Sequence, residues 1–252
     1  MDDKFWFLKN CDLFERLSPE QVQRLESVSH AKQYARGSLI YMPAEAGESV
    51  FLLTSGRIKL YHITAEGKQA VLALIDPGEL FGELTVFDGG DREEFAEAME
   101  KSTLIRIPRA EITRLIEEHA SVAVGVTRLM GLRRRRIERR LKSLLFRSNR
   151  ERLIHLLMEL AEKYGRRSPD GVTLGIKLSH QELASIIGST RETVTVVLGE
   201  LQNERSLIIK RRQIILTDME NMARSIEQQP PRLPTPATQV IPAARRPAGM
   251  ET

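Results

Sequence analysis

Four residues in the C-terminal third of the chain carry side chains that can contact the edges of DNA bases. They are Arg191, Glu192, Thr195 and Val196. Arginine can donate two hydrogen bonds to guanine, glutamate can accept one from cytosine, and a threonine methyl group or a valine can touch the methyl group of thymine. On a helical wheel Glu192, Thr195 and Val196 point away from the apolar face, with Arg191 at the N-terminal flank, as a groove-facing surface requires.

Two short helices would have to position these residues. Ser179 precedes Glu182 by three residues, which is the spacing of a capping box, and this first helix ends at Gly188. A tight turn follows, and Thr190 can cap a second helix over about 190–201. Its apolar positions follow the spacing i, i+3, i+4, i+7 and are Val194, Val197, Leu198 and Leu201. The pattern predicts a helix-turn-helix; a helical hairpin with solvated charges is the alternative.

A basic turn follows the second helix. Lys210, Arg211 and Arg212 separate two apolar runs that read as strands, so we expect a wing beside the phosphates. The full set of predicted DNA contacts is Ser179, Gln181, Thr190, Arg191, Glu192, Thr195, Val196, Lys210, Arg211 and Arg212.

The first half of the chain has a different texture. Residues 31–107 consist of short apolar or alternating runs, separated by glycines about every ten residues. This pattern predicts an antiparallel, jelly-roll-like β-roll of eight strands rather than alternating strands and helices. Ser18, Pro19 and Gln21 predict the start of a short helix before it. The fold class is therefore α+β with two domains.

A long helix with a narrow apolar stripe is predicted after residue 120. The stripe includes Val122, Val126, Leu129, Ile137 and Leu141. Because a small roll offers such a helix little partner surface, we expect it to pair with its copy in a homodimer. The alternative is a helix lying across its own domain. In the homodimer, some of the arginines of 133–136 would have to point outward from the contact.

The predicted organisation has four parts: a sensor roll at 1–120, a central dimerisation helix at 121–147, a winged helix-turn-helix domain at 148–220 and a disordered, proline-rich tail at 225–252. Charge divides along the same lines. Residues 1–120 hold 14 basic and 21 acidic side chains, whereas residues 121–252 hold 24 and 13. This division indicates a polyanionic partner such as duplex DNA for the second half.

Several other classes of protein are disfavoured. The chain lacks the sequence signatures of serine hydrolases, P-loop nucleotidases and zinc proteases, so no enzyme is expected. Cys11 is the single cysteine, which excludes an intrachain disulfide and a zinc or iron–sulfur site built from several thiolates; no metal site is expected. A signal peptide and a membrane span are not recognised, so the expected location is the cytoplasm, without a membrane partner.

The segment 181–194 closely resembles the helix-turn-helix of the Crp/Fnr family of bacterial transcription regulators. Upstream segments at 55–61, 67–69 and 77–84 agree, and the resemblance covers about residues 11–220. It implies a cyclic-nucleotide-binding-like roll, a homodimer on a palindromic site, and RNA polymerase as a partner. It also implies that Arg191 and Glu192 read bases. A further base-reading arginine of the family is replaced here by Val196.

The resemblance extends to a phosphate-binding cassette at 77–100. It implies that Gly82, Glu83, Leu84 and Arg92 would bind a ligand, with Glu83 on a ribose hydroxyl and Arg92 on a phosphate. Arg92 is followed by Glu93 and Glu94, whose charge repels a phosphate.

The central helix also departs from the cyclic-AMP-responsive pattern. It has Ile137 and Glu138 where the cyclic-AMP-responsive members offer two hydroxyls. We expect no cofactor and no usual cyclic AMP binding, and the effector stays open. A haem held by His62 or Cys11, and a cyclic-nucleotide module acting on a protein partner, are the alternatives.

Overall fold

The computed structural model describes residues 17–210 and 213–234. They form two compact units, and the boundary between the units falls between Leu141 and Lys142. In the described residues no helix is long and apolar enough to span a bilayer.

The first unit contains a roll of eight strands with helices before, within and after it. Its elements in chain order are α1 (Pro19–Val28), β1 (His30–Tyr34), β2 (Leu39–Tyr41), β3 (Ser49–Ser55), β4 (Ile58–Ile63), β5 (Gln69–Ile75), β6 (Leu80–Phe81), α2 (Leu84–Asp88), β7 (Phe95–Ala98), β8 (Ser102–Pro108), α3 (Arg109–Glu118) and α4 (Ala120–Phe146). The last residues of α4 belong to the second unit. The expected eight-stranded antiparallel roll is confirmed.

Two four-stranded antiparallel sheets make up the roll. One has the strand order β1-β8-β3-β6 and the other has the order β2-β7-β4-β5. Tyr41, Phe51 and Phe81 form an aromatic cluster in the core, with the Phe51 and Phe81 rings stacked 5.4 Å apart. Gly56 has a φ of +88°, and a Cβ there would lie 2.3 Å from Ser102 Oγ. Only glycine fits this turn between β3 and β4.

Helices α1 and α4 begin where the sequence predicts. Ser18 and Gln21 form the expected capping box at the start of α1, and Leu25 of α1 is fully buried in the core. The N-terminal part of α4 also packs into this core: Val122 and Val126 are buried there, and Leu129 contacts the same cluster. The prediction that Val122 and Val126 lie in a dimer contact is therefore wrong, because they are buried against their own roll. For Leu129, which is only partly buried, the dimer contact stays a prediction.

The second unit is a helical core with a small sheet. Its further elements are α5 (Asn149–Tyr164), β9 (Gly165–Ser168), β10 (Gly171–Leu174), α6 (His180–Ile187), α7 (Arg191–Asn203), β11 (Leu207–Lys210), β12 (Gln213–Leu216) and α8 (Met219–Ser225). The sheet has the order β11-β12-β10-β9. Helix α5 contacts α6, α7 and α8, so it forms the support on which the helix-turn-helix rests.

The tail prediction is wrong for its first residues. Ile226 is buried, and the Leu233 side chain approaches Gly165, where a Cβ would lie 2.9 Å from it. These apolar side chains bury surface against the second unit, which offsets the ordering cost of the segment. Residues 235–252 of the predicted tail lie outside the described residues.

Candidate nucleic-acid interface

The turn between α6 and α7 is fixed by local capping. Ser179 and Glu182 form the expected capping box at the start of α6, which ends at Gly188 in the left-handed region with φ +65°. Thr190 caps α7 by accepting a hydrogen bond from the Thr193 amide. A Cβ at residue 188 would lie 2.8 Å from the Leu144 side chain, so glycine also permits close packing.

Helix α7 has one buried and one exposed face. Its four predicted apolar positions are buried: Val194, Val197, Leu198 and Leu201. Arg191, Glu192, Thr195 and Val196 lie on the exposed side, and Val196 keeps 60% of its surface accessible. The structure therefore brings together the four residues that the sequence singles out for base contacts.

Glu192 is held as an anion at the start of α7. Its own backbone amide, and then the Thr190 hydroxyl, lower the pKa of its carboxyl group below the usual range. A carboxylate at a helix N-terminus is also favoured by the helix dipole. Glu192 can therefore accept a hydrogen bond from a base amino group.

His180 is a residue of this surface that sequence analysis missed. Its Nδ1 lies 2.8 Å from Thr195 Oγ1, which connects the first residue of α6 to the exposed face of α7. The available signal was its position directly after the N-cap Ser179, because the start of the first helix lies beside the second helix in this motif.

Two arginines of α5 hold the helix-turn-helix in place. Their spacing in the sequence does not predict these contacts. Arg150 forms ion pairs with Glu200 at 3.2 Å and Glu204 at 2.6 Å, both near the end of α7. Arg152 donates to the carbonyl oxygens of Ile187 and Gly188, which end α6. Both helices are thus fixed to a common support.

The wing is present as the strands β11 and β12, as predicted. Lys210 is exposed at its tip and forms an ion pair of 2.6 Å with Asp170. Arg211 and Arg212 lie outside the described residues. Gln181 is exposed on α6, with its amide 3.5 Å from Ser185 Oγ.

The second candidate site is the cassette of the roll. Gly82 has a φ of +74°, Glu83 is the N-cap residue of α2, and Leu84 is largely exposed. Arg92 is only 4% exposed, and its guanidinium carbon lies 4.4 Å from the centre of the Tyr41 ring. It donates to the carbonyl oxygen of Gly82 at 2.7 Å and to that of Ser49. Arg92 is therefore a buried bracket between two loops.

Burial shifts the ionisation of this pair. It lowers the pKa of Arg92 and raises the pKa of Tyr41. The Tyr41 hydroxyl donates to Glu94 at 2.7 Å, and the charge of Glu94 raises the pKa of Tyr41 further. Glu94 thus lies near Arg92, as its negative charge, which repels a phosphate, requires in the sequence-based prediction.

Arginines of α4 pair with residues of the roll, a contact that no local sequence pattern predicts. Arg133 forms an ion pair with Glu83 and donates to the Leu80 carbonyl oxygen. Arg140, two turns further along, donates to the carbonyl oxygens of Val71 and Leu72. Arg134 is exposed, as expected. The spacing of 133 and 140 puts both guanidinium groups on one face of α4.

These contacts engage both residues that the resemblance assigns to the phosphate and the ribose of a cyclic nucleotide. The phosphate arginine of the resemblance is committed to two carbonyl groups, and the ribose carboxylate is paired with Arg133. Glu83 Oε2 is buried with no hydrogen-bond partner among the described residues, so one acceptor remains. His62 of the haem alternative lies exposed on β4, and Cys11 lies outside the described residues. No cluster of three metal-binding side chains occurs within the described part.

Comparisons with known proteins agree with both halves of the chain. The family model described as cyclic nucleotide-binding domain matches residues 31–119, and that described as Crp-like helix-turn-helix domain matches residues 151–225. A cyclic AMP receptor protein of Thermus thermophilus is 32% identical over 78% of this chain and 88% of its own. A global nitrogen regulator of Synechococcus elongatus is 32% identical over 73% of this chain and 83% of its own length.

Solved structures share the fold. A mutant of CooA from Carboxydothermus hydrogenoformans matches 90% of this chain and 97% of its own, with a TM-score of 0.72 and 23% identity. The structure of a CRP-family regulator of Thermus thermophilus matches 79% of this chain and 98% of its own, with a TM-score of 0.66 and 26% identity. The sequence motif, the two units and these relatives agree: the chain belongs to the Crp/Fnr family of transcription regulators.

Proposed function

We propose that this chain is a sequence-specific regulator that binds duplex DNA through α7 and wing contacts. The observation that carries the proposal is the exposed set Arg191, Glu192, Thr195 and Val196 on a helix whose opposite face is buried. A recognition helix of this kind lies in the major groove. The bracing by Arg150 and Arg152 supports the proposal, since base readout requires a rigidly held helix.

The proposed assembly is a homodimer on a palindromic operator. Beyond residue 130, α4 exposes apolar side chains, with Ile137 at 57% and Leu141 at 54%. A second copy of this helix is the proposed partner for them, and two α7 helices would then enter successive major grooves. The proposal includes RNA polymerase as the downstream partner and the cytoplasm as the location, because the target is DNA.

We also propose that this activity does not depend on cyclic AMP. The support is that Arg92 and Glu83 already have partners within the chain. One relative is named a cyclic AMP receptor, so the test must be direct. Calorimetric titration of the protein with cyclic AMP should give no binding heat, and DNA affinity should not change on its addition. Micromolar affinity would contradict the proposal.

Selection from a random duplex pool tests the main proposal. At fixed salt, the protein should enrich a palindrome whose half-sites lie about one helical turn apart. Arg191→Ala should lose this enrichment, whereas Arg134→Ala, which changes an exposed arginine of α4, should keep it. No enrichment by the unchanged protein would contradict DNA readout and would favour a module that acts on a protein partner.

A further inference from the structure

The contact between His180 and Thr195 restricts what Thr195 can offer to DNA. Thr195 Oγ1 lies 2.8 Å from the Arg191 carbonyl oxygen, which can only accept, so the hydroxyl donates its single hydrogen there. The same oxygen lies 2.8 Å from His180 Nδ1. Because the hydroxyl hydrogen is already used, Nδ1 must be the donor in this second bond. The Thr195 hydroxyl thus donates one hydrogen bond and accepts another within the protein.

With its hydroxyl held by these two bonds, Thr195 has its methyl group as the free substituent of the side chain. A threonine side chain in a helix has two accessible rotamers, and the bond to the i−4 carbonyl selects one of them. The His180 bond adds a second restraint on the same oxygen. Thr195 is exposed and its neighbour Val196 is 60% exposed, so the two side chains form an apolar surface between the charged groups of Arg191 and Glu192 and the end of α7.

The major groove offers one apolar group for such a surface, the 5-methyl group of thymine. We propose that His180 is a positioning residue, which fixes Thr195 so that its methyl group contacts a thymine methyl at one position in each half-site. This inference rests on the proposed function, since it assumes that α7 lies in the major groove. Helix α6, the first helix of the motif, would then influence base preference in addition to contacting the DNA backbone.

A different role for Thr195 would use its hydroxyl as a hydrogen-bond donor or acceptor to a base edge. Donation to a base would require the bond to the Arg191 carbonyl oxygen to break, whereas acceptance from a base amino group would use the one lone pair of Oγ1 that the His180 bond leaves free. The two roles predict opposite effects for two substitutions. Thr195→Val keeps a methyl group and removes the hydroxyl, whereas Thr195→Ser keeps the hydroxyl and removes the methyl.

The experiment replaces thymine by deoxyuridine, one position at a time, in the duplex selected by the unchanged protein. This replacement removes only the methyl group. Affinity is measured by fluorescence anisotropy at fixed pH and salt. At one position per half-site, deoxyuridine should weaken binding by about fourfold, the effect of one buried methyl group. Thr195→Val should keep this preference, because valine has one strongly preferred rotamer in a helix and needs no hydrogen bond to hold its methyl groups. Thr195→Ser should abolish it.

His180 is tested with two variants. His180→Ala should reduce the preference for thymine over deoxyuridine at that position to below twofold. His180→Asn can place its amide nitrogen, a hydrogen-bond donor, where Nδ1 lies. This variant should therefore keep the preference for thymine. A change in overall affinity alone would not produce this pattern, since a structural defect affects both duplexes equally.

Three results would overturn the inference. They are a full thymine preference in Thr195→Ser, its loss in Thr195→Val, and a full preference in His180→Ala. Failure of the proposed function is distinguishable, because the unchanged protein would then select no duplex at all.

Discussion

At the scale of single residues, Arg92 has a structural role that the resemblance does not imply. The sequence implied a phosphate ligand, and the structure has a buried guanidinium that donates to the carbonyl oxygens of Ser49 and Gly82. Stacking on Tyr41 adds a cation–π contact. Such a group stabilises the fold because its removal leaves buried acceptors without partners.

We therefore expect Arg92→Ala to lower the free energy of unfolding by about 2 to 4 kcal/mol, since two buried carbonyl groups and a cavity result. Urea denaturation followed by circular dichroism measures this. Arg134→Ala is the matched control: its exposed ion pair with Glu138 should contribute less than about 1 kcal/mol. Equal stability of the two variants would show that Arg92 is not a structural bracket.

His155 on α5 couples stability to pH. Burial, and then the charge of Arg147, lower the pKa of its imidazole below 6.5, while the Gln228 side chain raises it. The folded state thus binds the proton less readily than the unfolded state. Its contribution to stability is present above about pH 6.5 and is lost as pH falls through the lowered pKa.

The corresponding prediction is that His155→Gln flattens the decline in stability between pH 7.5 and pH 5.5. Denaturant midpoints of both proteins across this range provide the measurement. If the two curves stay parallel, the imidazole does not titrate as its surroundings indicate.

At the scale of elements, α7 contains a glycine that the protein itself does not require. Gly199 lies one turn after Thr195 and Val196 on the same side. Apart from its chain neighbours and the adjoining backbone of its own helix, no atom of the described residues lies within 4 Å of a Cβ placed there. Glycine in a helix interior costs about 1 kcal/mol relative to alanine. We attribute its presence to close approach of the DNA.

Gly199→Ala should then raise the free energy of unfolding by about 0.5 to 1 kcal/mol and weaken DNA binding. The first effect follows from helix propensity and the second from a methyl group placed against the duplex. Thermal unfolding and fluorescence anisotropy measure the two effects. A stabilised variant with undiminished DNA affinity would contradict the close approach.

Helix α4 shows what the sequence could and could not predict. Its length and its apolar stripe were evident, but a periodic stripe does not say which surface covers each part. Val122 and Val126 pack on the roll, whereas Ile137 and Leu141 stay exposed. The capping boxes at Ser18 and Ser179 were predictable because they depend on residues three apart. The pairing of Arg133 with Glu83 spans 50 residues and depends on the fold, so no local pattern signals it.

At the scale of the whole molecule, binding to a palindromic operator requires two copies of the chain. The exposed apolar residues of α4 are the contact that we propose, and charge on this surface should prevent it. Ile137→Asp should therefore convert a dimer into a monomer at micromolar concentration, measured by analytical ultracentrifugation.

Ile63→Asp is the control for this prediction, because Ile63 is a comparably exposed apolar residue on β4 of the roll. It should leave the dimer intact. A monomeric unchanged protein, or a dimeric Ile137→Asp variant, would contradict the assembly.

The most direct test of the central claim is a base-by-base affinity profile. Every base pair of one half-site of the selected palindrome is changed in turn, and affinities are measured at fixed salt for the unchanged protein, Arg191→Ala and Lys210→Ala. Arg191→Ala should remove discrimination worth about 1 to 3 kcal/mol at one position, because a base contact is lost. Lys210→Ala should weaken all duplexes uniformly. A uniform loss in Arg191→Ala would mean that α7 does not read bases through Arg191, and the account would be wrong.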